Sequence, residues 1–163
     1  MIDLTLPPVS ALLDLHVDLL AELRRRAVVR SANNPTGDYG ELLFSKAFGW
    51  TLNGNSSAGA DALDAQGQRY QIKCRRLATP RGSRQLGFIR RLPERPFDNL
   101  AAALLDARFK VLRAAIIPYE IVPPRSSYVD SVKAWRFMLR DSVWEVPGVL
   151  DVTSELRAAE QSI

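Results

Sequence analysis

Apolar residues recur at helical spacing over the first thirty positions. Leu12, Leu13, Leu15, His16, Leu19, Leu20, Leu23 and Ala27 predict a long amphipathic helix over 10–29, after Pro7 and Pro8 and with Ser10 as its cap. Arg24, Arg25 and Arg26 fall in its last turns, where they complement the helix dipole. Asn33, Asn34 and Pro35 are turn chemistry. A second helix is expected over 38–48, carrying Glu41 near its start and closed by Gly49. The period then changes. Residues 50–52 predict a short strand, and 53–59 a loop of small polar residues. Segments 60–65 and 69–77 predict two strands joined by a turn at Gln66 and Gly67. In the second, Tyr70, Ile72 and Cys74 point one way while Gln71, Lys73 and Arg75 point the other. Segments 97–105 and 110–117 are apolar enough for two more strands. A helical turn is expected from Pro118 to Pro123 and Pro124, a last strand over 133–139, and a final helix over 153–161. This order predicts an α/β (α+β) domain, a mixed β-sheet flanked by helices.

The length of 163 residues fits a single domain. Its expected parts are an N-terminal helix and loop (1–36), a core (37–120) and a C-terminal strand and helix extension (121–163). A chain of this size buries roughly 70% of its unfolded surface and needs no disulfide or structural metal. Its one Cys and one His exclude an internal disulfide and a zinc site of Cys/His type. No apolar run reaches membrane-spanning length, and the N-terminus lacks signal-peptide chemistry, so no membrane partner and a reducing, cytoplasmic setting are expected.

The net charge is only +4, but it is polarised. Eight basic residues lie between Lys73 and Arg95 against the single acid Glu94, a local balance of +7 that leaves −3 for the rest of the chain. Such concentration points to a polyanionic partner.

The stretch Gly59-Ala60-Asp61-Ala62-Leu63-Asp64, followed by Gln71-Ile72-Lys73 and preceded by a helix with Glu41, resembles the PD-(D/E)XK, or restriction-endonuclease-like, nuclease superfamily. Gln71 stands where that family's second acid usually lies, a Gln-x-Lys variant familiar in its methyl-directed branch. Residues 30–41, with 70–76, look like a group of bacterial proteins in the superfamily. The resemblance covers about residues 37–77. It implies a restriction-endonuclease-like core and a metal-dependent DNA endonuclease, acting in restriction, repair or mobile-element defence. It further implies Mg²⁺ or Mn²⁺ held by Asp61, Gln71, Glu41 and the Ile72 backbone carbonyl, with Lys73 assisting catalysis.

The chemistry of the residues agrees with that expectation. Mg²⁺ takes oxygen ligands, including carboxylates and carbonyls. Phosphodiester hydrolysis needs a cation near the reacting phosphate, and Lys73, two residues from Gln71 on the same face, would orient water or stabilise developing charge. Glu41 would restore the charge lost with Gln71. The register of the hairpin is open. A two-residue turn puts Asp64 on the Gln71 face, whereas a three-residue turn or bulge puts Asp61 there. Arg75, Arg76, Arg81, Arg84, Arg90 and Arg91 suit phosphate contacts to duplex DNA, on an irregular ribbon beside the active-site strand. Six such contacts would give a salt slope of about −5. Asn33, Asn34 and Tyr39 fit either substrate contact or turn formation and packing. Enzymes that cut both strands are commonly homodimers, which sets the expected assembly. The competing readings are a nucleic-acid-binding module on the same fold without catalysis, and a protein that docks an acidic partner.

Overall fold

The computed structural model describes residues 3–30, 34–54 and 59–163. The turn residue Asn33 and the middle of the polar loop, 55–58, lie outside them. Helix α1 spans Val9–Arg25 and ends four residues before its apolar period suggested. Ala27 adopts a left-handed φ of 55° and ends it, and Val29 then enters the core at 2% exposure. No residue of α1 is buried: Leu13, Val17 and Leu19 are 61%, 63% and 57% exposed. Helix α2 spans Thr36–Phe48 and starts two residues early, because Asn34 Oδ1 accepts hydrogen bonds from the Thr36 amide and hydroxyl at 3.0 and 2.6 Å. Gly49, at φ +68°, closes α2 in the left-handed conformation that a side chain disfavours.

Six strands form the main sheet: β1 (Thr51–Leu52), β2 (Ala62–Leu63), β3 (Arg69–Arg76), β4 (Asn99–Leu105), β5 (Val111–Pro118) and, at the far edge, β8 (Leu150–Asp151). Their order in the sheet is β1-β2-β3-β4-β5-β8. Only the central pair β3–β4 is parallel. The expected strand over 60–65 shrinks to Ala62–Leu63, because its flanks are taken up by Asp61 and Asp64 side-chain bonds. A separate two-stranded sheet pairs β6 (Ser126–Val129) with β7 (Ala134–Phe137). β6 follows two single 3₁₀ turns, Tyr119–Ile121 and Pro123–Arg125, where only the helical turn was foreseen. Helix α3 covers Thr153–Gln161 as its spacing predicts.

The pleat of β3 and β4 divides the interior. Tyr70, Ile72, Ala101 and Ala103 pack with α2 and α3, and Leu100, Ala102 and Leu104 pack on the opposite face. Alanines at 101–103 let both layers approach the sheet closely. The second layer is β6–β7, extended by the 85–89 segment. Ile89 exchanges backbone hydrogen bonds of 2.8 Å with Trp135, and Leu86 N–H donates to the Phe137 carbonyl. Part of the arginine-rich stretch is therefore tethered to β7 by isolated bridges rather than a free ribbon.

Helix α2 packs closely on β3. A Cβ placed on Gly40 would lie 2.1 Å from Cys74 Sγ. Gly40→Ala should lower stability by ~1–3 kcal/mol through overpacking, read as a lower denaturant midpoint, with Cys74→Ala in the same chain restoring part of the loss.

Candidate functional site

The geometry of the site begins at the β2–β3 hairpin. Ala62 pairs with Tyr70 and Leu63 with Arg69, so Asp61 lies opposite Gln71. The turn is the three-residue kind: Gly67 N–H bonds the Asp64 carbonyl at 3.1 Å, and Gly67 is left-handed at φ +80°. Asp64 is absorbed by this turn. Its carboxylate accepts the Gln66 and Gln68 amides, both at 2.9 Å, and the Tyr70 hydroxyl at 3.0 Å. Burial first, and this bond to Asp64 second, push the Tyr70 phenol up to about 12. Of the two candidate acids, Asp61 is therefore the one beside Gln71.

Beyond Ala62 the β2–β3 ladder opens. The Ile72 amide donates to Asp61 Oδ2 at 2.7 Å instead of to a β2 carbonyl, and Gln71 Nε2 donates to the same oxygen. Along a strand a residue's N–H and C=O face the same neighbour. The Ile72 carbonyl is thus directed to the edge that Asp61 occupies. Asp61, Gln71 and Lys73 are each half-buried, and the Lys73 stem passes over Gly87.

Glu41 lies apart. Its carboxylate is in ion-pair contact with Arg30, while the Oε2 atom is fully buried and takes no hydrogen bond of good geometry. Arg30 Nη1 also donates to the Asn53 carbonyl at 3.1 Å, and the Asn53 amide donates to the Asp61 carbonyl at 2.8 Å. A chain of contacts thus runs from Glu41 through Arg30 and Asn53 to Asp61, and the Glu41 charge is answered by Arg30. Among the described residues no three His, Cys, Asp or Glu side chains converge on one point.

Gln71 and Lys73 form the floor of a cleft of about 490 Å³, walled by Gly59, Arg69, Phe88, Arg90, Arg91, Glu94, Arg95 and Pro96. Arg91 and Arg95 bracket the 3₁₀ turn Leu92–Glu94 with left-handed φ values of 55° and 49°. Such backbone costs an L-residue of order 1 kcal/mol, and here it directs two guanidinium groups to one rim. Arg91 pairs with Glu94 at 2.5 Å and Arg95 with Glu120 at 2.5 Å. Lys73 and Arg90 carry no ion pair among the described residues.

The six predicted phosphate-binding arginines divide. Arg90 and Arg91 line the cleft. Arg75, on the Lys73 face, is exposed and donates to the Ser83 carbonyl at 3.2 Å. Arg76 points to the other face, over the Phe109 ring at 4.9 Å. Arg84 is paired with Asp141 at 2.8 Å, and Arg81 is exposed and does not line the cleft. Arg69, Arg95 and Phe88 were not foreseen. The alternation Arg69, Gln71, Lys73 on one strand face could have revealed the first. Tyr39 is a packing residue, edge-on to Phe109 with ring centres 6.2 Å apart, and burial raises its phenol.

No protein-family model matches the chain, and no curated protein is detectably similar to it.

Arg69 is fixed by Asp98, which accepts from its Nε at 3.1 Å and its Nη2 at 3.0 Å. These bonds hold the Asp98 carboxyl below the usual aspartate range. The stability they contribute is complete above the ordinary aspartate value and is lost as pH falls through the lower folded value. With Arg69 41% exposed, solvent screening keeps the contribution small. Asp98→Asn should cost ~0.5–1 kcal/mol at pH 7, and the difference should fade in urea melts carried below pH 4.

Proposed function

We propose that the chain is a metal-dependent phosphodiesterase that cuts DNA, as its resemblance to the PD-(D/E)XK nucleases implies. The observation that carries the reading is the opened β2–β3 edge. There a carboxylate (Asp61), an amide (Gln71) and a strand carbonyl (Ile72) adjoin a lysine that faces a cleft rimmed by arginines. Asp61, the Gln71 side-chain oxygen after an amide flip, and the Ile72 carbonyl form an all-oxygen donor set that suits Mg²⁺ or Mn²⁺. The ion, when bound, supplies positive charge to the reacting phosphate and acidifies a water. Arg90 and Arg91 hold the phosphodiester at the rim. Lys73 stabilises the charge that develops on the phosphate oxygens and steers the attacking water. Glu41 could join the donor set only by giving up Arg30.

A second reading, a non-catalytic DNA-binding module, is favoured by one observation: the two features that would strengthen the cation site are muted, Glu41 by Arg30 and Asp61 by the Gln71 amide. Cleavage of plasmid, linear, nicked and single-stranded DNA with Mg²⁺ and Mn²⁺ separates the two. Asp61→Ala and Lys73→Ala should each lower the rate by about 10²-fold or more. Asp64→Asn should cost stability while leaving the rate per folded molecule near wild type. Metal-independent binding without cleavage by wild type would select the binding module.

The reading includes a homodimer formed through α1. Large aliphatic side chains left in water on an otherwise unsupported helix call for a cover. A second copy of α1 fits when antiparallel, because a crossing at Leu19 sets Asp14 opposite Arg24 of the second copy, whereas a parallel pair would set Arg24–Arg26 against their own kind. Light scattering should report a dimer for wild type and a monomer for Leu13→Glu/Val17→Glu. A wild-type monomer at high concentration would remove the dimer.

A further inference from the structure

We infer that the surface around Arg91 is a track for a single nucleic-acid strand, on which Phe88, Tyr128 and Trp135 stack exposed bases. The inference rests on the nucleic-acid reading above and adds the strandedness of the substrate.

Two depressions meet at Arg91. One is the cleft over Gln71 and Lys73, and the other is a shallower hollow of about 540 Å³ lined by Arg91, Pro93, Tyr128, Lys133 and Trp135. Three aromatic residues border this continuous surface. Phe88 is 37% exposed, Tyr128 is 50% exposed and Trp135 is half-buried. Tyr128 and Trp135 meet at an angle of 61° with ring centres 5.5 Å apart, so the tyrosine is braced by its neighbour while half of it stays open to solvent. The bracing extends to the cleft wall, since the Ile89–Trp135 backbone bonds tie Phe88 and Arg90 to the same small sheet as Tyr128.

Cations line the same two depressions as these rings. Arg90 is unpaired among the described residues. Among the described residues Arg91 and Lys133 pair only with exposed acids within their own turns, Glu94 and Asp130. Such pairs are weak, so phosphates can replace the carboxylates at little cost. Cations for the backbone beside flat apolar faces for the bases is the arrangement that binds unpaired strands. In a duplex the bases are stacked on one another, and these rings would have nothing to cover. The cleft itself has the volume of a small-molecule pocket, which suits one or two nucleotide units.

The test is a binding measurement in EDTA, which removes any dependence on cleavage. Fluorescence anisotropy is followed with a labelled oligothymidylate and with a blunt duplex of equal length. Wild type should prefer the single strand by about tenfold, and Tyr128→Ala and Phe88→Ala should each weaken that binding by about tenfold without changing duplex affinity. Tyr128→Phe should bind as wild type. Both alanine changes lie at solvent-exposed rings, and circular dichroism melts confirm that the variants are folded. Equal affinity for the two forms, or alanine variants that bind the single strand as wild type does, would overturn the track while leaving salt-dependent nucleic-acid binding intact. Failure of wild type to bind either form would overturn both the track and the nucleic-acid reading.

Discussion

Asp64 accepts two backbone amides and a tyrosine hydroxyl at the tip of the β2–β3 hairpin, and Gly67 completes the turn in a conformation that suits glycine. Side chains alternate strictly along a strand, so one residue more or less in this turn would reverse the faces of one strand against the other. With the turn as it is, Asp61 meets Gln71 and the Ile72 amide, and Tyr70 stacks on Trp50 with ring centres 3.7 Å apart. The polar edge and the apolar core are thus consequences of the same few hydrogen bonds.

Strand β3 works for both layers. Tyr70, Ile72 and Cys74 belong to the core under α2 and α3, and Arg69, Gln71 and Lys73 face the cleft. The local excess of positive charge is tempered by acids that come from elsewhere in the chain. Asp98 holds Arg69, Glu120 holds Arg95, and Asp141 holds both Arg84 and Arg113. Among the described residues Lys73, Arg75, Arg76, Arg81 and Arg90 have no acidic partner, and of these Lys73 and Arg90 line the cleft. The surface field is therefore weaker than the linear count of basic residues implies.

Much of this architecture was legible in the sequence because its signals are local. Gly49 marks the end of α2, alternation marks β3, and Asp151 with Thr153 marks the start of α3. The pairing of the candidate acids was not legible, because a period-two pattern fixes which residues share a face within a strand but not the register between strands. The partners of the arginines were hidden for a related reason. Asp141 and Glu120 lie far along the chain from Arg84 and Arg95, and only the fold brings them together. The short strand β6 was lost among prolines and serines, and the tether of 85–89 to β7 has no signature beyond the burial of Leu86 and Ile89. The dipeptide pattern of β3 did contain Arg69, two positions before Gln71, and could have added it to the cleft.

The closeness of Gly40 to Cys74 has a further effect. Burial pushes that thiol up to about 12, so almost none of it is thiolate at neutral pH. The chain's one sulfhydryl, half-buried, is then slow to react while α2 rests on β3, and it reacts faster in molecules where the helix has lifted away. The rate at which it takes up an alkylating reagent is a clock for that opening, built into the protein without any added label.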